Sequence, residues 1–127
     1  MRAKGRRVHA LELGEGCRHG TFVAPTLIEI DSIAELGREV FGPVLHVVRF
    51  ARTERDALID AINATGYALT FGVHSRIDET IARVSERISA GNVYVNRNII
   101  GAVLGVQPFG CHGLSGTGPK AGGPLYP

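Results

Sequence analysis

A chain of 127 residues, 44% hydrophobic and 20% charged, has the size and balance of one small globular domain that can bury a usable core. Its 14 basic and 12 acidic side chains leave a formal charge of +2, too even to favour nucleic acid or an anionic membrane surface as partner. No apolar run reaches membrane-spanning length, Met1 to Arg7 does not read as a signal peptide, and two cysteines make no disulfide framework, so a reducing cytoplasm is the expected compartment.

In chain order, Val8 to Leu13 alternates weakly and stops at Gly14, as a short strand would. Thr21 to Ile30 (TFVAPTLIEI) is rich in β-formers, with Pro25 demanding a break or an edge position. Leu45 to Phe50 is a short apolar strand. Thr53 opens a helix with Asp56 as its capping-box partner; Leu58, Ala61 and Ile62 supply the apolar stripe, and Gly66 the C-terminal cap. Phe71 to His74 is a further strand. Ile77, Ile81, Val84 and Ile88 step by four, three and four, which places them on one helix face; Asp78 caps its start and Gly91 its end. Asn92 to Asn96 (NVYVN) completes the series. Strands alternating with helices predict an α/β fold, a mainly parallel sheet with flanking helices.

After residue 100 the composition changes. Gly101 to Pro127 carries 8 of the 17 glycines and one charged side chain, Lys120. Its aliphatic and aromatic residues argue for an ordered loop whose backbone approaches a ligand, not a linker. Gly113 to Lys120 (GLSGTGPK) superficially suggests a phosphate loop, but Pro119 stands where glycine is needed and Ala121 follows the lysine. Cys17 with His19, and Cys111 with His112, lack the paired spacing of a zinc site, so no metal is expected. As nucleophiles, Cys111 is the better placed of the two cysteines, yet a plain loop cysteine is the preferred reading of both. Ser115 has His112 nearby but no nucleophile elbow and no evident orienting acid.

Three segments together resemble the aldehyde dehydrogenase superfamily: Glu39-Val40-Phe41-Gly42-Pro43-Val44, Ala90-Gly91-Asn92-Val93-Tyr94-Val95-Asn96, and Gln107-Pro108-Phe109-Gly110. The runs from Asn96 to Phe109 and from Gly113 to Pro124, with Thr21 to Leu27, narrow the likeness. They are similar to the end of the L-glutamate γ-semialdehyde dehydrogenase domain in bacterial bifunctional proline-utilisation proteins (PutA). The resemblance covers Leu11 to Tyr126.

It implies that the chain, over residues 1–127, is the C-terminal portion of an aldehyde dehydrogenase catalytic domain. The implied activity is NAD-dependent oxidation of the aldehyde to glutamate in proline catabolism. Glu39 would accept hydrogen bonds from the nicotinamide ribose, and Phe41 would pack beside the nicotinamide ring. Gly101 and Ala102 would offer backbone N–H groups to the substrate's α-carboxylate, and Phe109 would pack on its aliphatic part. Cys111 departs from the family, which has glycine at that position.

The resemblance also implies that the catalytic cysteine, the oxyanion asparagine and the cofactor domain lie outside these residues. No catalytic residue is therefore assigned here, and the isolated chain is expected to be inactive. Its partners would be the aldehyde substrate and the missing N-terminal half. The alternative is a non-catalytic remnant or interaction module that docks on a full-length relative.

Overall fold

The structure, a computed structural model, describes residues 5–100, 110 and 112–116. It divides into two compact units, Met1–Arg52 and Thr53–Pro127, each treated by itself below.

In the first unit, β1 (Val8–Ala10), β2 (Thr26–Ile30) and β3 (Val44–Val48) form a sheet in that order. β1 runs antiparallel to β2, with Val8 opposite Ile28, whereas β2 and β3 are parallel, with Thr26 opposite Val44 and Ile30 opposite Val48. β2 starts directly after Pro25, the break the sequence requires, because proline has no N–H for the ladder. Ile30 is the single buried residue of this unit among those described, and Leu11, Phe22, Val23 and Leu45 stay exposed.

β2 runs into a short 3-10 turn, Ile33–Leu36, whose start is capped by Ser32 Oγ accepting from the Ala34 N–H at 3.2 Å. The Arg6 guanidinium pins this turn. It donates to both Glu35 carboxylate oxygens, at 2.9 and 3.0 Å, and also to Asp31. The Asp31 N–H donates to Glu35 as well, and this bond, with Arg6, holds the Glu35 carboxyl below the usual range against the opposing effect of burial.

A 3-10 turn (Arg52–Glu54) begins on the last residue of the first unit; the second unit then has α1 (Arg55–Ala64), β4 (Tyr67–Ala68), β5 (Thr70–Val73), α2 (Asp78–Arg87), β6 (Asn92–Val95) and β7 (His112–Gly113). β5 and β6 are parallel, with Phe71 opposite Val93; β4 and β7 make a two-residue antiparallel ladder. Strand alternation puts Phe71, Val73 and Val93 on one face. There they pack with Ile62 and Ala90 against a core of Ile59, Val84 and Ile88.

The described sheets are thus mixed, two parallel pairs and two antiparallel ones, and both α-helices belong to the second unit. The expectation of a mainly parallel sheet holds for the two pairs joined by long connections only.

Helix details depart from the sequence reading in instructive ways. Thr53 and Asp56 form no capping box: the N-cap is Glu54, and it makes no side-chain cap bond. Arg83 has captured the Asp56 carboxylate instead, with its Nε 3.1 Å from both oxygens. The core residue of α1 is Ile59, while Ala61 is exposed. Gly66 does take the terminal position, at φ +76°, its N–H donating to Asn63 O at 3.1 Å. Asp78 lies in the first turn of α2, after the cap residue Ile77. Gly91 does not close this helix. Asn63 does so from α1, its Nδ2 donating to Arg87 O and its Oδ1 accepting from Ser89 N–H, both at 2.9 Å.

Two outcomes follow for stability. Ile59→Ala is expected to cost about 2–4 kcal/mol, read as a lower urea midpoint; an unmoved midpoint would contradict this core. The hydrogen bond from Arg83, helped by the charges of Arg83, Arg87 and Arg55, holds Asp56 below the ordinary aspartate range. A depressed carboxyl stabilises the folded state above its unfolded pKa, about 3.9, and the contribution is lost as pH falls further. Asp56→Asn should therefore lower the unfolding midpoint at neutral pH and converge with the unsubstituted chain in strong acid, whereas parallel curves would argue against the pairing.

Candidate functional site

Two stretches carry the residues singled out by sequence, one in each unit. The first is the return from β2 to β3. After the pinned 3-10 turn, Gly37 takes φ +53°, a conformation that glycine adopts without strain, and redirects the chain. Residues 38–43 then run back to β3. The Pro43 carbonyl accepts from Thr26 N–H at 2.9 Å, and Gly42 O accepts from Val44 N–H at 2.8 Å, which fixes the end of the return against the start of β2.

Glu39 and Phe41 lie together on this return, both exposed. Phe41 is 90% exposed and Val40 72%, so the fold spends neither side chain on its own core. An apolar ring and a carboxylate two residues apart on an anchored loop suit a ligand that has a flat aromatic face and neighbouring hydroxyls. These are the groups that a nicotinamide riboside presents, so the residues present fit that cofactor. Beside the loop, an open hollow of about 580 Å³ is lined by His9, Leu11, Pro25, Leu27, Pro43 and Leu45.

The second stretch follows β6. Gly101, Ala102 and Phe109 lie outside the described residues, as does Cys111. The described flanks are held by several bonds. On the near side, Asn96 N–H donates to Val73 O at 2.9 Å, and the Asn96 side chain makes two bonds to the Ser75 backbone, also at 2.9 Å. On the far side, the buried Gly110 offers its carbonyl to Asn92 Nδ2 at 3.4 Å. Ser115 Oγ accepts from Ala68 N–H at 3.0 Å, and Leu114 N–H donates to Gly66 O at 2.8 Å. Ser115 thus braces the β4 backbone.

Among the described residues no group of three His, Cys, Asp or Glu side chains could hold a metal ion. Cys17 is a free, half-buried thiol on the 3-10 turn Glu15–Cys17. No described helix is long and apolar enough to cross a membrane.

Comparison with known proteins decides the family. The model of the aldehyde dehydrogenase family matches residues 2–126. The chain belongs to the aldehyde dehydrogenase family. It is 64% identical to the bifunctional protein PutA of Rhizobium meliloti over 126 residues, covering 99% of this chain and 10% of that protein. It is 40% identical to the 1-pyrroline-5-carboxylate dehydrogenase of Bacillus subtilis over 109 residues, covering 84% of this chain and 21% of that one. A crystal structure of proline utilization A (PutA) from Bradyrhizobium japonicum superposes with a TM-score of 0.88 at 55% identity, covering 98% of this chain and 13% of that one. The chain therefore spans about a tenth of the length of the PutA proteins that it matches.

The side-chain hydrogen bonds of Asn63, Asn96 and Ser115 escape a sequence reading, because their partners lie 24, 21 and 47 residues away. The closest signal in the sequence is an asparagine at the end of a strand, a residue type that tolerates positive φ. On the far flank, Gly113 has φ +60°, and a Cβ there would press on Gly66 O. Gly113→Ala is expected to cost more than about 1 kcal/mol and to open the β4–β7 ladder. Faster amide exchange at Leu114 would report the opening, and unchanged exchange would contradict it.

Proposed function

We propose that these residues form the C-terminal portion of the catalytic domain of an L-glutamate γ-semialdehyde dehydrogenase that acts in proline catabolism in the cytoplasm. The observation that carries the reading is 64% identity to a PutA protein across almost the whole chain, joined by 40% identity to a 1-pyrroline-5-carboxylate dehydrogenase. The structure adds support through Phe41, a large apolar side chain left 90% exposed on a loop anchored at both ends.

In this reading the Glu39 carboxylate accepts hydrogen bonds from the nicotinamide ribose hydroxyls, and the Phe41 ring gives the nicotinamide a wall that orients it and excludes water. The Gly101 and Ala102 N–H groups receive the substrate α-carboxylate; bare amides next to small residues can approach it closely. Phe109 packs along the aliphatic part of the substrate. Bound NAD supplies the hydride acceptor for aldehyde oxidation. The attacking thiolate and the oxyanion donors belong to parts of the PutA-like protein beyond these residues, and neither Cys17 nor Cys111 is assigned that role. Turnover therefore needs the cofactor domain and the catalytic-cysteine segment as partners.

A second reading, a non-catalytic piece docked on a full-length relative, draws on the exposed Leu11, Phe22, Val23 and Leu45 around a unit with one buried described residue. It differs in outcome: a docked piece adds no turnover of its own.

The direct test places this chain in a full-length PutA relative in place of that protein's corresponding segment. Phe41→Ala and Glu39→Ala in this hybrid are expected to raise KM for NAD about tenfold and to leave the unfolding midpoint within about 0.5 kcal/mol of the parent. An unchanged KM for NAD in both variants would sink the assignment of this loop.

A further inference from the structure

Among the described ion pairs of the first unit, one differs from the rest in shielding. Arg7 and Arg49 beside Glu29, and Arg18 beside Glu15, are at least 70% exposed, and such pairs contribute little. Arg6 and Glu35 are only 24% and 17% exposed. Their contact is bidentate: Nε donates to Oε2 at 3.0 Å, and Nη2 donates to Oε1 at 2.9 Å. A two-point fit fixes the geometry of this pair, and partial burial leaves it less screened by salt than the others.

The pair ties together three places on the chain. Arg6 precedes β1, where the Arg7 carbonyl accepts from Glu29 N–H at 3.0 Å and keeps this stretch beside β2. Glu35 belongs to the 3-10 turn after β2. Its Oε1 also accepts from Asp31 N–H at 2.9 Å, just past the last residue of β2. One carboxylate thus closes the turn onto the strand that leads into it and onto the stretch alongside. The chain leaves this clamp at once. Gly37, at φ +53° and ψ −49°, makes a tight turn in which Arg38 N–H donates to Leu36 O.

Glu39 and Phe41 come next, and burial does little to order them. Val40 and Phe41 are 72% and 90% exposed, so neither side chain fixes the path of the loop by packing. A loop of this kind is as ordered as its two attachments. The far attachment is backbone bonding, from Thr26 N–H to Pro43 O. The near one depends on a side chain, and Arg6 supplies it from 29 residues away.

We propose that Arg6 is a positioning residue for the nicotinamide cofactor: by clamping Glu35 it orders the loop that carries Glu39 and Phe41, and so sets the affinity for NAD. The inference rests on the functional reading above, in which that loop holds the nicotinamide riboside. Arg6 itself touches neither cofactor nor substrate. A loop that is already ordered loses less freedom when the cofactor docks, and without the clamp that loss falls on binding.

The test uses the hybrid PutA enzyme that carries this chain. Arg6→Ala is expected to raise KM for NAD, and Kd for NADH by direct titration, about fivefold. KM for glutamate semialdehyde and kcat at saturating NAD should stay within about twofold of the parent. Arg6→Lys keeps the charge but loses the planar fork, and should fall in between. Glu35→Gln weakens the same contact from the other side and should also raise KM for NAD. With no NAD present, amide exchange over residues 35–41 should quicken in Arg6→Ala.

Attraction of the cofactor's phosphates by the Arg6 charge would give a different pattern. Arg6→Lys would then match the parent, and Glu35→Gln, which removes a negative charge, would lower KM for NAD. Either result overturns the inference, as does unchanged amide exchange in Arg6→Ala. An equal rise in both KM values together with a lower melting temperature would mark the clamp as merely structural and would also overturn it. If Phe41→Ala raises KM for NAD and Arg6→Ala does not, the inference fails alone. If neither does, the functional reading of the loop fails and the inference falls with it.

Discussion

Parallel strand pairing is the constraint on which the rest of this structure depends. Two parallel neighbours cannot be joined by a tight turn, since the chain must travel back the length of the strand before it can run alongside again. β2 and β3 are such a pair, and so are β5 and β6. The first return is residues 31–43, and it carries Glu39 and Phe41. The second is made largely by α2, whose Val84 builds the core with Ile59 and Ile88. One crossover therefore presents side chains outward, and the other buries them. The division fits an enzyme in which sheet and helix supply rigidity and connecting segments supply the site.

The two units hold themselves together by different means. In the second, aliphatic burial and the arginine–aspartate contacts between α1 and α2 act on the same pair of helices: Arg83 reaches Asp56, and Arg87 reaches Asp60 at 2.7 Å. Exposed ion pairs of this kind contribute little singly, so the buried cluster dominates and the charges tune it. Asn63 ties the ends of both helices by closing α2 from α1. The first unit has Ile30 as its only buried described residue, and its turn is fixed by the contacts of Arg6 with Asp31 and Glu35. What secures the Glu39–Phe41 loop is thus hydrogen bonding and ion pairing near its ends more than packing beneath it.

Much of this arrangement is legible in the sequence where a single physical rule dominates. The four-three-four spacing of Ile77, Ile81, Val84 and Ile88 finds α2, although Ile77 is its exposed cap residue and Ile88 follows its last turn; Pro25 marks the start of β2, and Gly66 marks the end of α1. Reading fails where two local options compete and a distant residue decides. Asp56 could cap α1, but Arg83, 27 residues away, takes its carboxylate. Leu58 and Ala61 look as apolar as Ile59, and only the packing of α2 selects the last. The two-residue β4–β7 ladder is too short to carry any periodicity. For the candidate site, residue chemistry alone brings out the glycine-rich stretch after residue 100, and it takes the family resemblance to bring out Glu39 and Phe41. Asn96 and Ser115 carry no mark of their roles, since an amide or hydroxyl reveals its partner in three dimensions only.

The central proposal is that these residues supply part of the catalytic domain of a glutamate-semialdehyde dehydrogenase whose nucleophile lies elsewhere. The most direct measurement is NADH formation from glutamate semialdehyde, made with the purified chain and with a PutA relative that carries it in place of its own segment. The account predicts silence from the chain and turnover from the hybrid. Turnover by the chain alone would place the nucleophile within these residues and contradict the account, as would a folded, NAD-binding hybrid that leaves the aldehyde untouched.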